Sequence, residues 1–182
     1  MKDPHKPISK LMSLVLRHKP EHLGLQLDEN GWVDVDTLIV AIRKSGVDVD
    51  KSLLEKVVRE NDKQRFAFNS DQTRIRANQG HSIEVDVELK QKAPPAILFH
   101  GTVEKFLDLI RASGLKKMSR QHVHLSAEIK TASNVGSRRG KPVILEVDAM
   151  KMAEDGFMFF LSANGVWLTD NVPPEYLNFP SG

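Results

Sequence analysis

Ile8, Leu11, Met12 and Val15 recur at the i, i+3, i+4, i+7 spacing that brings apolar side chains onto one face of a helix. The spacing predicts an amphipathic helix through "SKLMSLVLRH", with Ser9 as its N-cap and Pro20 as its stop, because a proline pushes its predecessor out of the α region. "ENGWV" then reads as a turn and a short strand. "DVDTLIVAIRKSG" is a second helix, with Asp36 as candidate cap and Gly46 just past its end, and "DKSLLEKVVREND" is a third, capped by Asp50. "RFAF" and "RIRA" flank the polar turn "NSDQT" and predict a hairpin.

The pattern changes after "HSIEVDVELKQKAPPA", where charged and aliphatic residues alternate before Pro94-Pro95. A domain boundary is expected there, giving domains at 1–92 and 93–182. In the second half, "AILFH", "HVHLS" and "PVILEVD" read as strands and "VEKFLDLIRASG" as a helix. "FMFFLSANGVWL" reads as a hairpin turning at Asn164-Gly165, the residue pair favoured by a type I′ turn. The expected class is therefore α+β. Three short helices followed by a hairpin suggest a winged-helix-like module for the first half.

Composition narrows the function classes. The chain has 182 residues, 40% hydrophobic and 27% charged, which are globular values. No apolar run approaches the ~20 residues that span a bilayer, so no membrane association is expected. The N-terminal MKDPHKPISK lacks the apolar core of a signal peptide. With no cysteine, disulfides, thiolate nucleophiles and cysteine zinc sites are excluded, and a reducing cytoplasm is the expected location. Net charge is only +2, with 16 Lys/Arg against 15 Asp/Glu in residues 1–92 and 10 against 9 in residues 93–182. Binding to nucleic acid would have to come from a few well-placed cations rather than a broad basic surface.

There is no GxxxxGK[ST] phosphate loop, GxGxxG or HExxH. What recurs is arginine and histidine near glycine: "LRH", "KQRF", "IRANQGHS", "FHGT", "SRQHVHLS" and "GSRRG". Arginine suits phosphate because its planar fork donates two parallel hydrogen bonds, and several can stabilise a phosphoryl transition state without a metal. Each stretch also has a plainer reading. Arg17 and His18 could be helix-end cations serving the last carbonyls. Arg65 could be a solvated strand end, Arg120 a loop charge, and Arg138-Arg139 a solvated turn. Arg74 and Arg76 could be hairpin surface or RNA contacts. His122 and His124 form an H-x-H pair that metals accept, but no third ligand is evident.

Together these stretches resemble the NAD-dependent RNA 2′-phosphotransferases. The matching residues are "SKLMSLVLRHKPEHLGLQLDENGWVDVDTL", "KQRFAFN", "IRANQGHS", "ILFHGT", "GLKKMSRQHVHLS", "GSRRGKPVILEVDAMKM", "DGFMFFLSANGVWLT" and "VPPEYL", in order from residue 9 to residue 177. The resemblance implies an N-terminal winged-helix lobe and a C-terminal ADP-ribosyltransferase-like lobe with the active site between them. It also implies a two-step reaction. The RNA 2′-phosphate displaces nicotinamide from NAD⁺, and the ribose 2″-hydroxyl then attacks that phosphorus. The products are RNA with a free 2′-hydroxyl and ADP-ribose 1″,2″-cyclic phosphate.

By residue, the resemblance implies that Arg17, Arg65 and Arg120 hold the phosphate oxygens and that His18 serves the phosphate in the second step. It implies that His100, Gly101 and Thr102 contact the nicotinamide riboside, with His124 at a second signature position and Ser126, Arg138 and Arg139 toward the dinucleotide. Arg74, Arg76 and His122 are carried as RNA contacts. NAD⁺ is the implied co-substrate and 2′-phosphorylated RNA the implied partner. No metal is expected, and the chain is read as a monomer. Where many ADP-ribosyltransferases carry a glutamate, "NGVWLT" offers Val166, which counts against transfer to protein side chains. The rival readings are an ADP-ribosyltransferase of phosphorylated nucleic acid ends and a non-catalytic RNA-binding module.

Overall fold

A computed structural model describes residues 4–181. The chain divides into two compact units, Met1–Glu88 and Leu89–Gly182, each a mixture of helices and antiparallel strands.

The first unit begins with α1, Lys6–Arg17. Pro7 occupies the first turn, where its fixed φ and missing N–H cost nothing, so the helix starts earlier than expected. Ser9 is consequently not the cap; it lies inside the helix, where its hydroxyl accepts from Asn61 Nδ2 at 3.1 Å. Of the predicted face, Ile8, Met12 and Val15 are buried and Leu11 is partly buried against the same core, and Leu16, outside that pattern, is buried with them.

β1 (Val33–Asp34) leads into α2 (Val35–Lys44). Its cap is Asp34 rather than Asp36. Asp34 has extended backbone and its carboxylate accepts from the Thr37 backbone N–H at 2.9 Å, whereas Asp36 is already in the first helical turn. α3 (Lys51–Arg59) is capped as expected by Asp50, which accepts from Leu53 N–H at 2.8 Å. β2 (Phe66–Phe68) and β3 (Arg74–Ala77) form the expected hairpin, with Phe66 opposite Ala77 and Phe68 opposite Ile75. β1 pairs with the other side of β3, giving the sheet order β1-β3-β2. Met12, Leu16, Leu38, Ile42, Leu54 and Ile75 meet in one core with essentially no exposed surface. Truncating one of these leucines to alanine should cost about 2–5 kcal/mol.

The second unit opens with β4 (Lys90–Gln91), followed by β5 (Ile97–Val103) and α4 (Leu107–Ser113). Then come β6 (Leu115–Lys116), β7 (Val123–Leu125), α5 (Ile129–Gly136) and β8 (Pro142–Asp148). α6 (Ala149–Glu154), β9 (Phe160–Leu161), β10 (Trp167–Thr169), β11 (Asn171–Val172) and β12 (Leu177–Asn178) complete it. β5 and β8 pair antiparallel along their whole length, from Ile97 opposite Asp148 to Val103 opposite Pro142, with β12 on the far side of β8. A second sheet runs β4-β9-β10-β7, and β6 pairs with β11. Leu98, Leu145, Val147, Met152 and Phe159 are central to this unit's core.

One turn differs from the sequence reading, and two packing details accompany it. The hairpin between β9 and β10 is not a type I′ turn, since Gly165 has φ +81° but Asn164 is not in the positive-φ region. Gly165 N–H donates to Ser162 O at 3.0 Å and Ser162 N–H to Val166 O at 2.9 Å, the bonding of a three-residue loop with a glycine bulge. "FMFF" alternates in burial: Phe159 is 1% exposed and Met158 50%. Finally, α5 lies so close to β5 that a Cβ on Gly101 would sit 1.7 Å from the Ala132 carbonyl oxygen.

Candidate active-site residues in the two units

In the first unit the end of α1 bears on the two readings of "LRH". Leu14 O is taken by the backbone N–H groups of His18 (3.0 Å) and Lys19 (2.8 Å), and Arg17 O by Ser82 N–H at 2.9 Å. These carbonyls therefore have backbone donors and do not depend on the Arg17 and His18 side chains. Arg17 is only 9% exposed, unlike a solvated helix-end cation. His18 Nδ1 and Ser82 Oγ are 2.8 Å apart, so the ring's orientation is set from residue 82.

Arg65 is held by its backbone. Its N–H donates to Asn61 Oδ1 at 3.0 Å, and its carbonyl accepts from Asn78 N–H at 2.8 Å. Asn78 and Ser82 lie in one short segment following β3, so a single stretch anchors both Arg65 and the end of α1. Within it, Asn78, Gln79 and His81 are all buried polar residues. His81 is 1% exposed and neither of its ring nitrogens has a hydrogen-bond partner among the described residues. Burial, then the charges of Arg17, His18 and Arg76, push its pKa down to about 4, so it is neutral at physiological pH.

Arg74 and Arg76 sit differently from the candidate phosphate ligands. Arg74 pairs with Asp28 at 3.1 Å, and Arg76 pairs with Glu88 at 3.1 Å while stacking 4.3 Å from the Trp32 ring centre. Arg65 makes no ion pair with a carboxylate among the described residues, and burial lowers its pKa despite the opposing field of Asp62.

In the second unit, His100 lies on β5 and its Nδ1 is 3.2 Å from the His124 carbonyl oxygen. A carbonyl only accepts, so Nδ1 carries the proton and Nε2 is left as an acceptor. Burial keeps this ring neutral by depressing its pKa, and Arg139 adds to the effect. Arg120 Nη1 is 3.0 Å from His124 Nδ1. A guanidinium only donates, so His124 Nδ1 is unprotonated. Like Arg65, Arg120 is desolvated and has no carboxylate partner among the described residues; Arg139 is its like-charged neighbour.

The structure thus brings His100, Arg120, His124 and Arg139 into one electrostatic group. Arg139 also lies 5.7 Å from the Phe106 ring centre. Arg138, next to it in the 3₁₀ turn Ser137–Arg139, makes no comparable contact among the described residues. Thr102 is buried, and Ser126 is tied by paired backbone hydrogen bonds to Phe99. At Gly101 the missing side chain leaves room for the backbone of α5. His122 stands apart, its ring 5.9 Å from Phe160 and its field set by Asp170 and Lys117. Among the described residues no group of three or more His, Cys, Asp or Glu is arranged to hold a metal, and no helix is long and apolar enough to cross a membrane.

The residues that sequence reasoning left without roles are Asn61, Asn78, His81 and Ser82. The last three lie in or beside "NQGHS", a stretch quoted for its resemblance but not assigned chemistry.

Comparison with known proteins completes the identification. Residues 3–171 match the model of the RNA 2′-phosphotransferase, Tpt1 / KptA family. A "Probable RNA 2′-phosphotransferase" of Flavobacterium johnsoniae is 58% identical over 97% of this chain and 97% of its own. Proteins of the same name from Fusobacterium nucleatum and Trichormus variabilis are 54% and 57% identical, each over 94% of this chain and over 97% and 94% of their own. With a family model covering nearly the whole length and relatives matched end to end at more than half identity, this chain belongs to the RNA 2′-phosphotransferase, Tpt1 / KptA family.

Proposed function

We propose that the protein removes an internal 2′-phosphate from RNA by transferring it to NAD⁺, through the two steps its family resemblance implies. In the first, a 2′-phosphate oxygen attacks the anomeric carbon of the nicotinamide ribose, a C–O bond forms, and the C–N bond to nicotinamide breaks. The nucleophile is already anionic and nicotinamide leaves neutral, so this step demands neither a strong base nor a strong acid. In the second, the ribose 2″-oxygen attacks phosphorus and the bond to the RNA 2′-oxygen breaks. One proton leaves the 2″-hydroxyl and one arrives on the RNA 2′-oxygen, so the proton count balances.

The observation that carries this reading is the state of Arg65 and Arg120. Both are desolvated guanidiniums without carboxylate partners among the described residues. A cation kept partly out of water and left unneutralised favours binding an anion, and a phosphate in transit between two sugars is such an anion. Arg17, Arg65 and Arg120 are assigned to the phosphate oxygens and His18 to the second step. His100, with Nε2 available as acceptor, suits a ribose hydroxyl donor, and Arg139 suits a dinucleotide phosphate.

The lobes are read in the same spirit. The helix–strand–helix–helix–hairpin order of the first unit, with sheet order β1-β3-β2, supports a winged-helix lobe. The paired β5 and β8 with the β4-β9-β10-β7 sheet support an ADP-ribosyltransferase-like lobe. The test is to incubate the protein with a 2′-phosphorylated oligoribonucleotide, with and without NAD⁺, and weigh the products. Loss of one phosphate only when NAD⁺ is present, with ADP-ribose 1″,2″-cyclic phosphate formed, is expected. A phosphate lost without NAD⁺, or an RNA left unchanged with it, contradicts the proposal.

A further inference from the structure

Three histidines of the candidate machinery have Nδ1 partners of three different kinds. For His100 the partner is a backbone carbonyl, which only accepts. For His124 it is the Arg120 guanidinium, which only donates. Each of these bonds is compatible with one state of Nδ1, so each ring is held in a fixed tautomer suited to binding. For His18 the partner is the Ser82 hydroxyl, at 2.8 Å. A hydroxyl donates or accepts by rotating about its C–O bond. Accepting from Nδ1–H, it holds the ring with Nε2 outside the bond, and the same contact serves the neutral and the cationic ring.

We propose that Ser82 is a positioning residue for the second step: its hydroxyl holds His18 Nδ1 in both protonation states of the ring, so that Nε2 can take up and release a proton without the imidazole turning. The inference rests on the reading that His18 serves the phosphate in that step. When the 2″-hydroxyl attacks, Nε2 accepts its proton and the Ser82 oxygen accepts from Nδ1–H of the cationic ring. When the RNA 2′-oxygen leaves, Nε2–H returns the proton to it, and the ring is neutral again with its Nδ1–H still donating to the Ser82 oxygen. The bonds made and broken are those of the phosphoryl transfer, and the proton count closes.

The backbone supports the same role. Ser82 N–H donates to Arg17 O at 2.9 Å, so the residue is fixed to the last turn of α1 by its main chain while its side chain meets the next residue's ring. The preceding residue, His81, is buried and anchors the segment from beneath. Ser82 itself is exposed, so removing its hydroxyl opens no cavity and leaves the Arg17 bond in place.

The test compares wild type, Ser82→Ala, Ser82→Thr and His18→Ala in single turnovers on a 2′-phosphorylated oligoribonucleotide with NAD⁺, following nicotinamide release and the RNA species separately. Ser82→Ala should release nicotinamide within about threefold of the wild-type rate and convert the RNA–phospho–ADP-ribose adduct about 10- to 100-fold more slowly, so that the adduct accumulates. Ser82→Thr, which keeps the hydroxyl, should restore conversion. Nitrogen NMR of the His18 ring should show its Nδ1 signal moved in Ser82→Ala and near wild type in Ser82→Thr. Adduct accumulating in His18→Ala while Ser82→Ala converts it at the wild-type rate overturns the role of Ser82 alone. Equal slowing of nicotinamide release and adduct conversion in Ser82→Ala also overturns it, because a general loss of structure would act on both. If His18→Ala turns over normally without adduct, the underlying assignment of His18 fails instead.

Discussion

His81 stays neutral because its ring is buried beside Arg17, His18 and Arg76, and a positive charge on it has no hydrogen-bond partner among the described residues. Its folded pKa of about 4 lies below the ordinary 6.5, so the unfolded chain binds the proton more readily. The resulting stabilisation is fully present above pH 6.5 and is lost as pH falls from there through about 4. The amount is on the order of 3 kcal/mol. Urea unfolding at about pH 7 and about pH 4.5 should therefore show a larger acid loss in wild type than in His81→Leu; equal losses would remove His81 as the cause. His100 and His122 have pKa values lowered by burial and contribute with the same sign. At the arginines, Arg65→Ala or Arg120→Ala should lower turnover at saturating NAD⁺ by roughly 30- to 1000-fold, a barrier increase of about 2–4 kcal/mol, with circular dichroism unchanged. Near-normal turnover in both folded variants would end their assignment to the phosphate. Arg17, His18, Arg65 and Arg120 were singled out from the sequence because each sits in a short stretch that carries the family resemblance. The supporting residues were not, because burial of a polar side chain such as His81, or a bond across 64 residues such as His18 to Ser82, leaves no local mark on the sequence.

At the scale of elements, β5 and α5 share a requirement that depends on Gly101. A methyl group there would meet the Ala132 carbonyl at 1.7 Å and Gly136 N at 2.9 Å, both backbone atoms that have no rotamer to change. Gly101→Ala should destabilise the protein by about 2–4 kcal/mol, read as a lower urea midpoint, and should impair activity through displacement of α5. A variant as stable as wild type would mean that α5 can shift at little cost. The same contact explains why α5 was missed. "IKTASNVG" has β-branched, serine, asparagine and glycine residues of weak helix propensity, and packing on β5 and β8 makes it helical. α6 has only six residues, too few for a helical period to appear, and its cap Asp148 belongs to the preceding strand. α1 to α3 were legible because each repeats its apolar face over several turns. Their caps were less so: Asp34 and Asp36 differ in backbone angles, which the sequence does not display, and Pro7 moved the start of α1. The Asn164-Gly165 pair located the β9–β10 turn correctly but did not distinguish a type I′ turn from a glycine bulge.

For the whole molecule, near-balanced charge in both halves limits how RNA is held. With few phosphate contacts, log affinity for a 2′-phosphorylated oligoribonucleotide should fall with log salt at a slope of about −2 to −4; a slope near −10 would require a basic surface the chain lacks. Guanidinium groups are assigned the task of stabilising phosphoryl charge, so turnover should persist in excess chelator. Abolition by chelator with recovery on adding zinc or magnesium would give the central role to a metal instead. The most direct test separates the two chemical steps. The first brings an anionic nucleophile to an oriented dinucleotide; the second moves phosphorus between oxygens, the step to which Arg17 and His18 are assigned in the proposal. Time points from Arg17→Ala, His18→Ala and His100→Ala with NAD⁺ and 2′-phosphorylated RNA can be resolved by gel and weighed. Arg17→Ala and His18→Ala should accumulate RNA carrying an added ADP-ribose mass, while His100→Ala should slow consumption of substrate with no such species. If Arg17→Ala and His18→Ala both turn over at the wild-type rate and neither shows the added mass, the end of α1 has no part in phosphoryl transfer.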